Sequence, residues 1–462
     1  MTGIPPVVLD RGSGTPLAAQ VADALRAAAT GGVLRPGDRL PSTRELAAAL
    51  RVSRTVTSAA YDQLLAEGWA GGRRGVGTFV LGAAPSAPAV PEPRASAAAP
   101  PDAHVDLRAG SPCLEVLDRA AWRRAWRAAG DLPPDARPNP AGDPGFRAAV
   151  ADHLLRHRGL VSGRDDVVAT AGTSAAVGEV ARLLPAGSRV AVEDPGYSRA
   201  VGALREAGVE VVPVPVDDDG LVVDALPAGL SAVYCTPAHQ FPTGRRMTAA
   251  RRIELVARSR AEGWWVLEDD YDGELRFDVA PLPLLGALGP DVVVHLGTTS
   301  KILTPTLGVG WLVAPASLRA ELEARRTATG VRPARAGQRV LTSLAGSGDL
   351  ARHLRRLRRE MAGRRDRVRA AVQAAGHAAE GDPAGAHVLV PLPDVTVEHE
   401  LLVAAAGRGL ALDGLGRHHH GDVPGRRAGL VLGFAAPSRA ELDAALPVLT
   451  DLLRTHRGPA SG

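Results

Sequence analysis

Residues 81–103, from Leu-Gly-Ala-Ala-Pro-Ser to Pro-Pro-Asp, are almost all Ala, Pro, Ser and Gly and carry no apolar periodicity. Such a stretch cannot bury a face of its own and behaves as a semi-extended linker. The chain must therefore fold as two bodies, a small one over 1–80 and a large one over 104–462. The large segment alternates strand-like and helix-like patterns, which predicts an α/β domain with a mainly parallel sheet. There is no internal repeat. No uncharged apolar run reaches about eighteen residues, so no membrane-spanning helix is expected. Met1 to Asp10 lacks the pattern of a signal peptide. The two cysteines, Cys113 and Cys235, are too few for a disulfide framework, which fits a reducing cytoplasm.

The net charge is only +4, so its distribution matters more than its total. Residues 15–80 hold eight arginines against five acids. Leu17, Val21 and Leu25 form a helical stripe, and Pro36-Gly37-Asp38 a turn. Ser42-Thr43-Arg44-Glu45 is a capping box that opens a second helix. Ser53 caps a third, with Val56, Ala59, Ala60 and Leu64 expected on its inner face. Two short strand candidates flank Arg73-Arg74-Gly75-Val76-Gly77. Helix-turn-helix followed by a basic hairpin is a winged helix. A plain three-helix module with a solvated basic face is the competing reading.

The order of residues in this segment closely resembles the GntR-type DNA-binding domain. The matching residues are Leu34-x-Pro36-Gly37-x-Arg39-Leu40-Pro41-Ser42-x-Arg44-Glu45-Leu46, Val52-Ser53-Arg54, Tyr61-x-x-Leu64-x-Ala66-Glu67-Gly68 and Gly75-x-Gly77-Thr78-Phe79-Val80. The resemblance implies that the third helix enters the major groove of double-stranded DNA, with Ser53, Arg54, Thr55 and Thr57 near bases or phosphates. It places Arg44 beside that helix and Arg74 and Gly75 at the wing tip. Some relatives carry a further arginine along this helix where the present chain has Ser58.

In the large segment, one residue stands out. Lys and Arg together number 54, yet Lys301 is the only lysine. A lysine amine can lose its proton and attack a carbonyl, which a guanidinium cannot do. Compositional drift toward arginine is the plain alternative. Lys301 follows the strand-like Val292–Leu296 and the hydroxyl-rich turn Gly297-Thr298-Thr299-Ser300. Ligands in open α/β folds bind beyond such strand ends. Four further segments have similar settings. Thr170-Ala171-Gly172-Thr173-Ser174 precedes a predicted helix over Ala175–Leu184, a weak phosphate signal alone. The strand Val190–Val192 leads to Glu193-Asp194-Pro195-Gly196-Tyr197, where the tyrosine is either a stacking ring or a core residue. Val233-Tyr234-Cys235 leads to a loop with His239 and Gln240, otherwise an ordinary Pro-rich turn. Trp264–Leu267 leads to Glu268-Asp269-Asp270-Tyr271-Asp272. Crowded carboxylates need a cation. A protonated pyridine nitrogen meets that need, and magnesium with His239 or His295 is the rival. A lysine imine and a carboxylate facing a ring nitrogen are what pyridoxal phosphate chemistry requires.

These motifs resemble, in order and spacing, the fold-type I aminotransferases. More narrowly, the whole chain is similar to the MocR-type regulators, in which a GntR winged helix is joined to an aminotransferase-like domain of a large sheet and a small α+β lobe. The motifs are Glu193-Asp194-Pro195-Gly196-Tyr197, Thr236-Pro237-x-His239-Gln240-Phe241-Pro242-x-Gly244, Glu268-Asp269-Asp270-Tyr271-Asp272 and Ser300-Lys301. The resemblance implies that Lys301 forms the Schiff base with pyridoxal 5'-phosphate and that Asp269 bonds the pyridine nitrogen. Tyr271 and Gln240 would lie near the ring hydroxyl and Tyr197 on the ring. Gly172, Thr173, Ser174 and Thr298 would hold the phosphate. Arg199 and Arg427 are the expected effector-carboxylate contacts, and no metal site is expected. Fold-type I sites usually lie at a dimer interface, so a homodimer on paired DNA half-sites is implied.

Two departures stand out. Relatives commonly have an arginine seven residues after the lysine, where this chain has Gly308. Losing such a charge-assisted contact costs about 1.5–3 kcal/mol of anchoring if nothing replaces it. A C-terminal arginine normally meets the substrate carboxylate, and Arg426 and Arg427 precede Leu430–Phe434 here. The arginine-dense 352–369 reads as an amphipathic helix with a solvated face, His418-His419-His420 as a surface loop, and Cys235 as a small buried filler. The expected function is a DNA-binding regulator that senses the cofactor or an amino compound that condenses with it. A working aminotransferase and a purely structural DNA-binding dimer are the alternatives.

Overall fold

The computed structural model describes residues 7–73, 76–81, 105–137, 139–277, 283–421 and 426–456. The expected linker, apart from Leu81, and the wing-tip pair Arg74 and Gly75 lie outside the described residues. The chain divides into two units, Met1–Ala99 and Pro100–Gly462.

In the first unit, helices α1 (Leu17–Thr30), α2 (Thr43–Leu50) and α3 (Arg54–Ala66) precede strands β1 (Ala70–Arg73) and β2 (Gly77–Val80). The strands pair antiparallel from Ala70↔Val80 to Arg73↔Gly77. The Ser42 capping box forms, with Ser42 and Glu45 satisfying each other's backbone amides. Ser53 caps α3 through the amide of Val56. The inner face of α3 is Thr57, Ala60, Tyr61 and Leu64. Ala59, expected inside, is exposed, because Thr57 and Tyr61 take the inward positions. Tyr61 donates a 2.7 Å hydrogen bond to the Pro41 carbonyl and ties α3 to the turn before α2.

The second unit contains β3 (Val105–Asp106), β4 (Val167–Thr170), β5 (Arg189–Asp194), β6 (Glu210–Asp217), β7 (Gly220–Leu221), β8 (Ala232–Cys235), β9 (Trp265–Asp270), β10 (Val293–Thr298), β11 (Gly310–Val313), β12 (His387–Leu392), β13 (Leu410–Ala411) and β14 (Ala428–Gly433). Eight of them form one sheet in the order β4-β11-β10-β9-β8-β5-β6-β7. The centre, β10 to β6, is parallel, and β11 and β7 run antiparallel to their neighbours. The central strands are apolar on both faces, as strands covered by helices must be. Val190 and Val192 join the cluster with Leu204 and Leu318, whereas Ala191 joins that with Leu255 and Trp264. The parallel order brings the ends of β5, β8, β9 and β10 to one edge, where the four motif loops meet.

A smaller lobe is built on the antiparallel pair β12 and β14, with helices Val395–Gly407 and Arg439–Thr455 beside it. Helix Asp349–Ala374 covers the arginine-dense segment. Its face is only partly solvated. Arg364, 1% exposed, donates to Glu360 at 2.8 Å and to the Phe434 carbonyl at 3.2 Å. The guanidinium satisfies carbonyls that would otherwise be buried unpaired.

Candidate functional site

Lys301 follows β10 and extends its amine to the Gly110 carbonyl at 2.5 Å. Burial lowers the pKa of the amine, against the opposing pull of the Asp269 and Asp272 carboxylates. An amine so placed is easier to deprotonate, which nucleophilic attack requires.

Asp269 lies near the end of β9 and is 2% exposed. Its Oδ2 accepts a 2.7 Å hydrogen bond from the Tyr234 hydroxyl on β8, while its Oδ1 is buried with no partner among the described residues. Burial pushes the Asp269 carboxyl up to about 7, although the Tyr234 bond pulls the other way. The orphan oxygen is an acceptor prepared for a cationic N–H. Glu193, at the end of β5, is likewise pushed up to about 7 by burial.

Helix Thr173–Ala181 starts two residues earlier than expected, with Gly172 at its N-cap and no side-chain cap on its first turn. Its leading amides are therefore available to an anion. Gly172 has φ +117, a conformation that favours glycine, and a Cβ there would lie 3.7 Å from Thr298 Oγ1. Thr298 Oγ1 and Ser300 Oγ are 3.0 Å apart. Gly172 and Thr298 therefore lie beside each other, with Ser300 next to Thr298 and with Thr173 and Ser174 opening the helix. Gly308 closes the short turn Pro305–Leu307 with φ +61.

The Ser174 hydroxyl donates to the Tyr197 hydroxyl at 3.4 Å, and the Tyr197 ring meets Phe241 edge-on. Arg199 is exposed at the start of helix Ser198–Glu206, and its charge reaches both Tyr197 and Lys301. Tyr271 donates to the His239 carbonyl at 3.0 Å. The Gln240 amide is spent inside the protein. Its nitrogen donates to Glu193 Oε2, Pro195 O and Phe241 O, and its oxygen accepts from Thr243. Arg427 is held 2.8 Å from Glu380, which also pairs with Arg245 at 3.2 Å.

The three consecutive histidines are not a free surface loop. His418 is 2% exposed, and His419 Nδ1 lies 2.9 Å from Asp194 Oδ1. Asp194 also accepts the amides of His420 and Gly421. The acid that ends β5 draws the loop in. Cys235 is fully buried, and that burial holds its thiol well above the usual range.

In the first unit, Arg44, Ser53, Arg54 and Thr55 are exposed around the start of α3. Thr57 is not. It is 0% exposed, and its hydroxyl donates to the Thr43 carbonyl at 2.8 Å and the Arg54 carbonyl at 3.1 Å. Thr57 packs α3 on α2 and has no free surface for DNA, which corrects the expectation for this residue.

Gly110, Tyr234 and Ser300 had no role in the sequence reading. Gly110 carries no local signal. Tyr234 is one of four apolar-looking strand residues, and only the parallel pairing of β8 with β9 sets it against Asp269.

A profile of class I and II aminotransferases matches residues 105–410. A profile of the gntR family of bacterial regulatory proteins matches residues 17–80. The structure of kynurenine aminotransferase from Pyrococcus horikoshii superposes with a TM-score of 0.68 at 24% identity, over 77% of this chain and 92% of that one. Fold and sequence together define an aminotransferase-like α/β protein of fold type I with a GntR helix-turn-helix unit. The HTH-type pyridoxine biosynthesis transcriptional regulator PdxR of Corynebacterium glutamicum is 37% identical over 358 residues, 77% of this chain and 78% of the relative. The probable rhizopine catabolism regulatory protein MocR of Rhizobium meliloti is 31% identical over 464 residues, 93% and 92% of the two chains. The chain belongs to the MocR-type GntR regulators. None of its described helices is long and apolar enough to cross a membrane.

Proposed function

We propose that this protein is a cytoplasmic, dimeric transcription regulator that binds pyridoxal 5'-phosphate and senses either that cofactor or an amino compound that condenses with it. The observation that carries the reading is the buried, unpartnered Asp269 Oδ1 in the same site as a desolvated Lys301 amine. A neutral ligand would leave that carboxylate uncompensated, whereas a protonated ring nitrogen matches it. Bound pyridoxal phosphate supplies an aldehyde open to amines and a cationic ring.

The residues divide the work. Lys301 Nζ would hold the cofactor's aldehyde end, and the Asp269 carboxylate would face its ring nitrogen. The amides of Thr173 and Ser174, the bare backbone of Gly172 and the Thr298 hydroxyl receive the phosphate. Tyr197 covers the ring, and Tyr271 approaches the ring hydroxyl. Gln240 acts from behind, by joining the turns after β5 and β8. Arg199 is the exposed cation for an effector carboxylate. Arg427 can serve only if it leaves Glu380.

A sensing route follows from Gly110. The Gly110 carbonyl would be the acceptor for the Lys301 amine whenever that amine is not bonded to the cofactor. The same segment bonds to the small lobe, where the Gly433 amide donates to the Leu107 carbonyl at 2.7 Å. A change at Lys301 is therefore passed to β14 and biases the lobe's position. Arg44, Ser53, Arg54 and Thr55 form the DNA face, with one winged helix per half-site.

The test is the visible absorption of the full-length protein with pyridoxal phosphate, beside Lys301→Ala, followed by operator binding with and without cofactor. A band fixed covalently by borohydride in wild type alone, with cofactor-dependent DNA binding, supports the reading. Covalent cofactor with steady turnover of an amino donor and a keto acid would make the protein an aminotransferase instead, a reading that the intact Lys301 and Asp269 favour. No band in either protein would leave a structural DNA-binding dimer.

A further inference from the structure

Next to this site, two buried imidazoles each keep a ring nitrogen that has no partner among the described residues. His239, in the loop after β8, is 2% exposed, and His387, the first residue of β12, is 4% exposed. The His239 Nδ1 lies 2.8 Å from Asp272 Oδ2, and the His387 ring bonds the Pro242 carbonyl. In both rings Nε2 is buried without a partner among the described residues. The ring centroids are 4.8 Å apart. A ring nitrogen of each histidine and a carboxylate oxygen of Asp272 lie within 4.8 Å of one another.

This is the arrangement that protein zinc sites use. A ligating histidine donates one N–H to a carboxylate or backbone carbonyl, which fixes the ring and leaves the other nitrogen for the ion. Here one histidine has the carboxylate partner and the other the carbonyl partner. A buried acceptor with no donor costs free energy, and two such acceptors side by side call for a shared electrophile. The surroundings keep the geometry tight. A Cβ on Gly385 would come within 2.2 Å of His239 Cε1 and 2.6 Å of Asp272 Oδ2.

We infer that His239 and His387 bind one divalent transition-metal ion of the zinc class through their Nε2 atoms, with Asp272 orienting His239 from behind. Imidazole ligands select zinc over magnesium or calcium. His239 and Asp272 come from loops of the large sheet, and His387 comes from the small lobe. The ion would therefore tie the two lobes together beside Tyr271, whose ring centroid is 6.2 Å from that of His239. The site borders the cofactor-binding groups, because the Tyr271 hydroxyl reaches His239 Nδ1 at 3.1 Å and its carbonyl at 3.0 Å, but its proposed ligands are none of those groups, so the inference does not require the regulator reading.

The test uses the full-length protein, with and without pyridoxal phosphate, stripped with chelator, loaded with Zn²⁺ and freed of excess metal by gel filtration. The expected result is about one zinc per chain in wild type and in His399→Ala, a control for exposed histidines. The zinc is lost in His239→Ala and His387→Ala. Zinc retained in both variants, or none in wild type, overturns the inference. Should either variant fail to fold, X-ray absorption of the Co²⁺-loaded wild type decides. Two imidazoles in the inner shell support the site, and an oxygen-only shell overturns it. The DNA-binding and cofactor assays play no part in these outcomes, so the two readings fail separately.

Discussion

Tyr234 and Asp269 are joined by a single 2.7 Å hydrogen bond that holds one carboxylate oxygen and leaves the other without a partner among the described residues. The bond sets both the aim of the carboxylate and its willingness to ionise. Tyr234→Phe removes a buried donor to a charged acceptor, at a cost of about 1.5–3 kcal/mol. Pyridoxal phosphate affinity, followed by its visible absorption, is expected to fall by about ten-fold or more. An unchanged affinity would show that Tyr234 does not support the cofactor contact.

The raised carboxyls give the cofactor-free protein a defined pH dependence. Asp269 stands at about 7 in the folded chain against 3.8 when unperturbed, and Glu193 at about 7 against 4.5. Between those limits the folded state holds more protons than the unfolded state, so stability is greatest below pH 4 in this respect and falls as pH rises toward 7. For Asp269 the full effect is on the order of 4 kcal/mol. Thermal melts of the cofactor-free protein from pH 5 to 7.5 are expected to show a falling Tm. Asp269→Asn should flatten the slope, and a slope unaffected by that change would count against a buried, raised Asp269.

Arg158 and Asp270 form a two-pronged ion pair, with both nitrogen–oxygen distances at 2.7 Å and both side chains nearly fully buried. Arg158→Ala leaves the carboxylate alone in the interior, and a loss of about 3–5 kcal/mol is expected in urea unfolding. The double change Arg158→Met with Asp270→Leu should recover most of it, because the isolated charge is then gone. A loss under about 1 kcal/mol in the single variant would mean that water reaches the pair.

On the DNA-binding unit, Arg54 and Thr57 should separate cleanly. Arg54→Ala is expected to weaken operator binding and lower the salt slope by about one. Thr57→Ala should cost about 1 kcal/mol of stability through the lost bond to the Thr43 carbonyl, with the salt slope unchanged. Anisotropy titrations at several salt concentrations, beside thermal melts, distinguish the two.

Local signals were legible where chemistry is local. Ser42 with Glu45, and Ser53 before its helix, announced the helix starts that the structure contains, because capping involves residues three apart. The buried strands were visible as apolar runs, although their ends were drawn too short. Asp194, Asp269 and Asp270 belong to the strands themselves, since strand pairing continues while backbone partners last, whatever the side chain. On α3, Thr57 is buried and Ala59 exposed, the reverse of what the apolar pattern predicts, because a threonine whose hydroxyl reaches a neighbouring helix's carbonyl buries as readily as an alanine. The loop 418–420 carries no local sign of its burial, because the partner that draws it in, Asp194, lies over two hundred residues earlier.

By itself the sequence determined that the chain forms two units, that the larger alternates strand and helix, and which residue types stand at the strand ends. Periodicity, turn residues and caps act over a few residues, so they can be read from order alone. Tertiary structure decided which of those residues meet. Asp269 gains its unpartnered oxygen from Tyr234 on the next strand, Lys301 meets Gly110 across 191 positions, and His387 comes to rest beside His239. These contacts depend on strand order and on the docking of the small lobe. Both are set by burial of apolar surface, which has no direction, so it leaves no local mark on the residues it brings together.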